Sequence, residues 1–112
     1  DILMKFDSLL HNYYEEKVQL TRGLPTVQYC ADKLHMSPNY FGDLIKKTTG
    51  DTAGNYIRQY VVGRAKNELA TGAGIAQVAD ELGFEYPQHF SRLFKKQEGI
   101  TPSEYGKKLF KK

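Results

Sequence analysis

Ile75-Ala76-Gln77-Val78-Ala79-Asp80-Glu81-Leu82-Gly83-Phe84-Glu85-Tyr86-Pro87-Gln88-His89-Phe90-Ser91-Arg92-Leu93-Phe94-Lys95-Lys96 is the stretch whose pattern decides the fold. Ile75, Val78, Ala79 and Leu82 recur at i, i+3, i+4, i+7, the single apolar stripe of a short amphipathic helix. Gly83-Phe84-Glu85-Tyr86 interrupts that period. Pro87 restarts a helix near its first position, where a missing N–H does no harm. Phe90, Leu93 and Phe94 supply the second helix's buried face, and Gly99 can take the left-handed conformation that ends a helix. The spacing therefore predicts a tight helix-turn-helix.

The same pattern occurs earlier in the chain, at an offset of 48 up to Met36 and 49 from Pro38 onward. Val27 to Met36 pairs with Ile75 to Phe84, and Pro38 to Tyr56 pairs with Pro87 to Tyr105, with one extra residue in the second copy's turn. Of these 29 pairs, 11 are identical, among them Ala31/Ala79, Leu34/Leu82, Pro38/Pro87, Phe41/Phe90, Lys46/Lys95, Lys47/Lys96 and Gly50/Gly99. Average residue usage would yield roughly two. Val27, Cys30, Ala31 and Leu34 form the first copy's stripe. His35-Met36-Ser37 marks its turn, and Phe41, Leu44 and Ile45 face inward from its second helix.

Working outward, Thr52 to about Leu69 reads as a longer helix between the copies, with Ile57, Val61, Ala65 and Leu69 at four-residue intervals. Eighteen residues span roughly 27 Å at ~1.5 Å per residue, near the ~34 Å between successive major-groove faces of B-DNA. An N-terminal helix carries Ile2, Phe6, Leu9, Leu10, Tyr13 and Tyr14 on one side, expected to pack on the first copy until Arg22-Gly23-Leu24-Pro25 breaks it. Gly72 and Gly74 loosen the second joint. Thr52 and Thr101 cap the helices that follow them, and a final helix runs from Pro102 to about Phe110 into a Lys-rich tail. The expectation is an all-α fold of seven helices, two homeodomain-like helix-turn-helix lobes joined by a long linker helix. Its parts are residues 1–51 (N-terminal helix and first lobe), 52–71 (linker) and 72–112 (second lobe and closing helix).

Composition is that of an ordinary globular chain, 40% hydrophobic and 26% charged over 112 residues, against disorder or collagen-like architecture. No run approaches the ~20 apolar residues of a membrane span, so no membrane contact is expected and the expected location is the cytoplasm. The chain opens on Asp1 rather than Met, which points to a piece of a longer polypeptide. With Cys30 the one cysteine, no internal disulfide or thiolate cluster can form. His11, His35 and His89 share no metal-ligand spacing. Nor is there a nucleophile elbow, phosphate-cradling glycine loop or zinc-protease helix. Neither a cofactor nor an enzyme is expected. Charge is uneven: residues 1–45 carry four Lys/Arg against six Asp/Glu, a balance of −2, and residues 46–112 twelve against seven, a balance of +5. That asymmetry suits a polyanionic partner, or else a solvated helical surface.

On Ile75 to Phe84, on His89-Phe90-Ser91-Arg92-Leu93-Phe94-Lys95-Lys96, and on Gly99-Ile100-Thr101-Pro102-Ser103-Glu104-Tyr105, the chain resembles the DNA-binding domain of the AraC/XylS family of bacterial transcription regulators. The match runs from about Thr26 to Phe110. The resemblance implies two lobes, each offering a recognition helix to one of two successive major grooves on one face of double-stranded DNA. It also implies a sensor or dimerisation domain elsewhere in the full-length protein, a nucleoid-associated location, and contact with RNA polymerase. Gly106 stands where arginine is frequent in the family, so no contact is carried over there.

Base edges are read from the outward face near a recognition helix's N-terminus, and phosphates from its rim. In the second copy the outward set is Gln88, His89, Ser91 and Arg92. A guanidinium at Arg92 matches guanine O6 and N7, and the amide of Gln88 suits adenine. The competing readings are a surface salt bridge from Arg92 to Glu85 or Glu81, and a half-buried His89. In the first copy Asn39, Tyr40 and Asp43 occupy the equivalent places, and Gly42 has no side chain to read with. Asn39 is the expected reader there. Asp43 repels phosphate, though it can accept from a cytosine amino group. Ser37, Lys46, Lys47, Arg58, Lys95, Lys96, Thr101 and Ser103 are the backbone-contact candidates. The features at Gly42 and Asp43 keep a second function open, a helical protein-interaction module with reduced DNA contact. A DNA-repair alkyl acceptor is a third, poorly served by a lone Cys30 on an apolar face.

Overall fold

The computed structural model describes residues 1–110, so the last two lysines of the tail lie outside it. Among the described residues every regular element is a helix: α1 Ile2–Glu15, α2 Gln19–Arg22, α3 Val27–Lys33, α4 Pro38–Thr49, α5 Ala53–Ala70, α6 Ile75–Leu82, α7 Pro87–Glu98 and α8 Pro102–Phe110. Seven helices were expected; the eighth is the single turn α2. It forms because Lys17, at φ 59°, turns the chain after α1. The Arg22 N–H then donates to the Val18 carbonyl before Gly23, at φ 80°, stops the turn. Four residues are too few for a hydrophobic period to register.

Both helix-turn-helix turns are closed by the same device. In the first, the Met36 N–H donates to the Ala31 carbonyl and the His35 N–H to that of Asp32; in the second, Phe84 donates to Ala79 and Gly83 to Asp80. These paired bonds are the Schellman closure of a helix end, which requires a left-handed residue just beyond the helix. His35 at φ 59° and Gly83 at φ 99° meet that requirement. At the N-termini, the hydroxyls of Thr26, Ser37 and Thr52 accept from the N–H groups of Tyr29, Tyr40 and Asn55, capping α3, α4 and α5. Each satisfies one of the orphan donors of a helix start.

The apolar faces meet in one continuous core. Helix α5 lies at its centre, burying Ala53, Ile57, Val61, Val62, Ala65 and Leu69. In the first lobe Phe6 packs edge-on to Phe41 and stacks on Tyr56, both at 4.9 Å between centroids. In the second, Phe84, Phe90, Phe94 and Tyr105 form a run of neighbours at 5.4, 5.9 and 5.5 Å. The second lobe is also tied to α5 by polar contacts. The Gln97 amide donates to Asn55 Oδ1 at 3.0 Å, and Lys66 Nζ lies 3.0 Å from Glu98 Oε1.

The N-terminal helix does more than pack on the first copy. The Tyr14 hydroxyl donates to the Leu82 carbonyl at 2.9 Å, and Gln19 Nε2 donates to that of Glu81 at 3.0 Å, so α1 and α2 reach across to the second lobe. Among the described residues no helix is long and apolar enough to cross a membrane.

Candidate nucleic-acid interface

Helix α7 keeps Phe90 and Phe94 fully buried and Leu93 partly so, which leaves Gln88, His89 and Arg92 exposed on the other side and Ser91 at the edge. Period sets this division, since positions 90, 93 and 94 share one face of a 3.6-residue helix. Arg92 forms no ion pair with Glu81 or Glu85 among the described residues, so its guanidinium is available to solvent. His89 is exposed rather than half-buried, and its ring lies edge-on to Tyr86 at 5.3 Å. Tyr86, 51% exposed, is a neighbour that the sequence reading missed. It falls in the turn, where no periodicity marks a side chain as facing inward or outward.

Helix α4 repeats the arrangement with poorer equipment. Phe41 and Ile45 are buried, and Asn39, Tyr40 and Asp43 are exposed. Tyr40 is 60% exposed. Gly42 leaves open space, with no heavy atom within 4 Å of where a Cβ would stand. The face therefore carries one amide, one phenol and one carboxylate around a gap, where α7 carries an amide, an imidazole and a guanidinium.

Lys46 and Lys47 end α4 and Lys95 and Lys96 end α7, all four exposed. There they also complement the negative end of each helix dipole. Ser37 is exposed, with its oxygen accepting from Tyr40 and its hydroxyl hydrogen still to give. Thr101 belongs to a capping box: its hydroxyl accepts from the Glu104 N–H, and Glu104 Oε1 accepts from the Thr101 N–H. Hydrogen bonds given to it by Thr101, from the backbone N–H first and the side chain second, hold the Glu104 carboxyl below the usual carboxylate range. Ser103 is exposed at the start of α8, and Arg58 is exposed on α5, its guanidinium folded back beside Gly54.

Two other chemistries find no support in the side chains. Burial pushes the Cys30 thiol up to about 12, the opposite of what an alkyl acceptor needs. Among the described residues no group of three or more His, Cys, Asp or Glu is placed to hold a metal ion.

A family model described as a helix-turn-helix domain matches residues 30–108. The HTH-type transcriptional regulator YtdP of Bacillus subtilis is 34% identical over 98 residues, covering 87% of this chain and 12% of YtdP. The regulatory protein SoxS of Escherichia coli is 36% identical over 84 residues, covering 74% of this chain and 78% of SoxS. Among solved structures, the C-terminal domain of the two-component response regulator yesN from Fusobacterium nucleatum superposes with a TM-score of 0.72 at 29% identity, covering 89% of this chain and 96% of that one. The chain thus spans about an eighth of the length of YtdP and most of SoxS. With a family model over most of its length and two matched helix-turn-helix units, the chain belongs to the AraC-type helix-turn-helix family.

Proposed function

We propose that this chain is the sequence-specific DNA-binding domain of a bacterial transcription regulator, placing α4 and α7 in successive major grooves on one face of the duplex. The observation that carries the reading is the exposed polar face of α7, Gln88, His89 and Arg92, set directly opposite its buried Phe90 and Phe94. A helix held by its apolar face with its polar face outward is the form in which major-groove readers are presented. Helix α5, 18 residues long between the two units, spans roughly 27 Å at ~1.5 Å per residue, of the order of the ~34 Å between successive major-groove faces.

In this reading Arg92 takes guanine, Gln88 takes adenine, and Ser91 and His89 contact neighbouring bases or their rim. Asn39, Tyr40 and Asp43 read from α4, with less discrimination because Gly42 contributes no side chain. Ser37, Lys46, Lys47, Arg58, Lys95, Lys96, Thr101 and Ser103 hold the phosphates. The functional parts are residues 1–51, 52–71 and 72–112. A sensor or dimerisation domain and contact with RNA polymerase belong to the full-length regulator, acting at the nucleoid.

Anisotropy titrations against a selected site and scrambled duplexes, at two salt concentrations, test this. Arg92→Ala is expected to cost ~1–3 kcal/mol and to relax preference at one base position. Lys95→Ala is expected to weaken all duplexes alike and to lower the salt slope by about one. Equal weakening of every duplex by Arg92→Ala would remove it from the base-reading set.

A further inference from the structure

The linker reaches the second lobe through Thr71–Gly74, a joint with a left-handed glycine at Gly72 and no side chain at Gly74. Such a joint gives backbone freedom, so the setting of the second lobe depends on contacts elsewhere. The lobe's α7 is tied to α5 by Gln97 and Lys66. Its α6 packs on α5 as well, and is tied by hydrogen bonds to the N-terminal segment.

Those N-terminal ties converge on three consecutive residues. The Tyr14 hydroxyl donates to the Leu82 carbonyl in a buried bond across 68 positions of sequence, and Gln19 donates to the Glu81 carbonyl across 62. Both acceptors lie in the last turn of α6, where carbonyls lack partners within the helix. Next along the chain, Gly83 lies against the backbone of the N-terminal segment. A Cβ there would come within 2.9 Å of the Gly23 carbonyl carbon and 3.1 Å of Gln19 Cβ. The duplicated architecture supplies its own control. His35 holds the equivalent left-handed place in the first copy with its side chain exposed, so the turn by itself tolerates a large residue. Glycine at position 83 reflects the close approach as well as the turn. Among the described residues Gln19 is also the one buried polar residue, 8% exposed, and its Oε1 has no partner there. A buried amide half satisfied is a poor way to gain stability, and its other half makes one of the two bonds to α6.

We propose that Tyr14, Gln19 and Gly83 are positioning residues that clamp the second lobe against the N-terminal segment and thereby set the spacing required between the two base-reading segments of the DNA site. Only Phe84, Glu85 and Tyr86 separate Gly83 from the start of α7, so holding Glu81 to Gly83 holds the N-terminus from which Gln88 and His89 project. One base pair of added spacing rotates the second groove by about a tenth of a helical turn. A clamped pair of readers does not follow that rotation.

The inference rests on the two-groove reading above, and its test separates the two. Spin labels at Thr48→Cys and Lys96→Cys report the distance between α4 and α7 without DNA; Cys30, fully buried, stays unlabelled. Tyr14→Phe with Gln19→Leu is expected to broaden a narrow distance distribution, and Gly83→Ala to shift or broaden it, with helical circular dichroism retained. On DNA, without the label substitutions, a one-base-pair insertion or deletion in the selected site is expected to weaken the unsubstituted chain by about tenfold or more, the size of one lost base contact. The Tyr14→Phe, Gln19→Leu chain is expected to lose most of that penalty. An unchanged distance distribution in this folded double variant overturns the clamp, and so does a broadened one with an undiminished spacing penalty. Failure of the unsubstituted chain to bind any duplex would overturn the DNA reading instead, and the label distances would still decide whether the clamp exists.

Discussion

Single residues in this chain carry two kinds of information, and His35 and Gly83 separate them. Both hold the left-handed conformation that the Schellman turn requires. A side chain there costs ~1–2 kcal/mol, which His35 bears in open solvent. At Gly83 the neighbouring backbone adds a second obstacle. Gly99 is the natural reference, since it is left-handed at φ 85° with nothing within 4 Å of where a Cβ would stand. Gly99→Ala is therefore expected to cost about 1 kcal/mol of folding stability, and Gly83→Ala distinctly more, as measured by urea denaturation. Equal costs would mean that the turn alone accounts for the glycine. The outward direction of Gln88 and Arg92 was legible because Phe90, Leu93 and Phe94 claim the other face. The contact at Gly83 was not legible, because a glycine in a turn reads the same whether or not another backbone touches it.

At the level of elements, repetition and capping made the boundaries readable. Pro38 and Pro87 begin α4 and α7, Gly50 and Gly99 end them, and Thr52 caps α5 as its position before the long apolar stripe indicates. Helix α6 starts with neither a capping side chain nor a proline. Its N-cap is Gly74, with φ −70° and ψ 154°, a conformation open to any residue, and it makes no side-chain cap bond. Nothing lies within 4 Å of the place for a Cβ. Gly74→Ser is thus expected to stabilise the protein by about 0.5 kcal/mol, through a cap bond and a less flexible unfolded chain. A thermal melt shows it as a higher midpoint; a lower one would mean that the joint needs its glycine. The element that the sequence hid is α2. One turn without a period leaves no trace, and its importance comes from Gln19's distant bond.

On the scale of the whole molecule, the seam between α5 and α6 brings two carboxyls together, Glu68 and Glu81. The Glu68 carboxyl is pushed up to about 7, chiefly by burial and then by the Glu81 carboxyl beside it, with Arg64 pulling the other way. Glu81 is lowered, chiefly by its bond with Glu68 and then by Gln77. A carboxyl whose folded value is raised contributes stability that is full below its unfolded value near 4.5 and is lost as pH rises through about 7. The Glu81 contribution has the opposite sense and is already in place above its own unfolded value. Between pH 5 and 8 the Glu68 loss therefore dominates. Because Glu68 is still partly solvated, the effect is expected to stay under about 1 kcal/mol. Glu68→Gln, compared with the unsubstituted chain in melts across that range, is expected to gain in relative stability as pH rises. A gap that does not change with pH would rule out a proton shared across the seam.

By itself the sequence determined the helix-turn-helix units, their duplication, the linker between them and the polar faces they turn outward. All of these follow from short-range period, capping and turn chemistry, which neighbouring residues specify among themselves. What only the tertiary structure decided was how the halves are joined: Tyr14 on Leu82, Gln19 on Glu81, and Gly23 against Gly83. Those partners lie some sixty positions apart, and contacts at that range depend on how packed helices meet, which no local pattern of residues encodes.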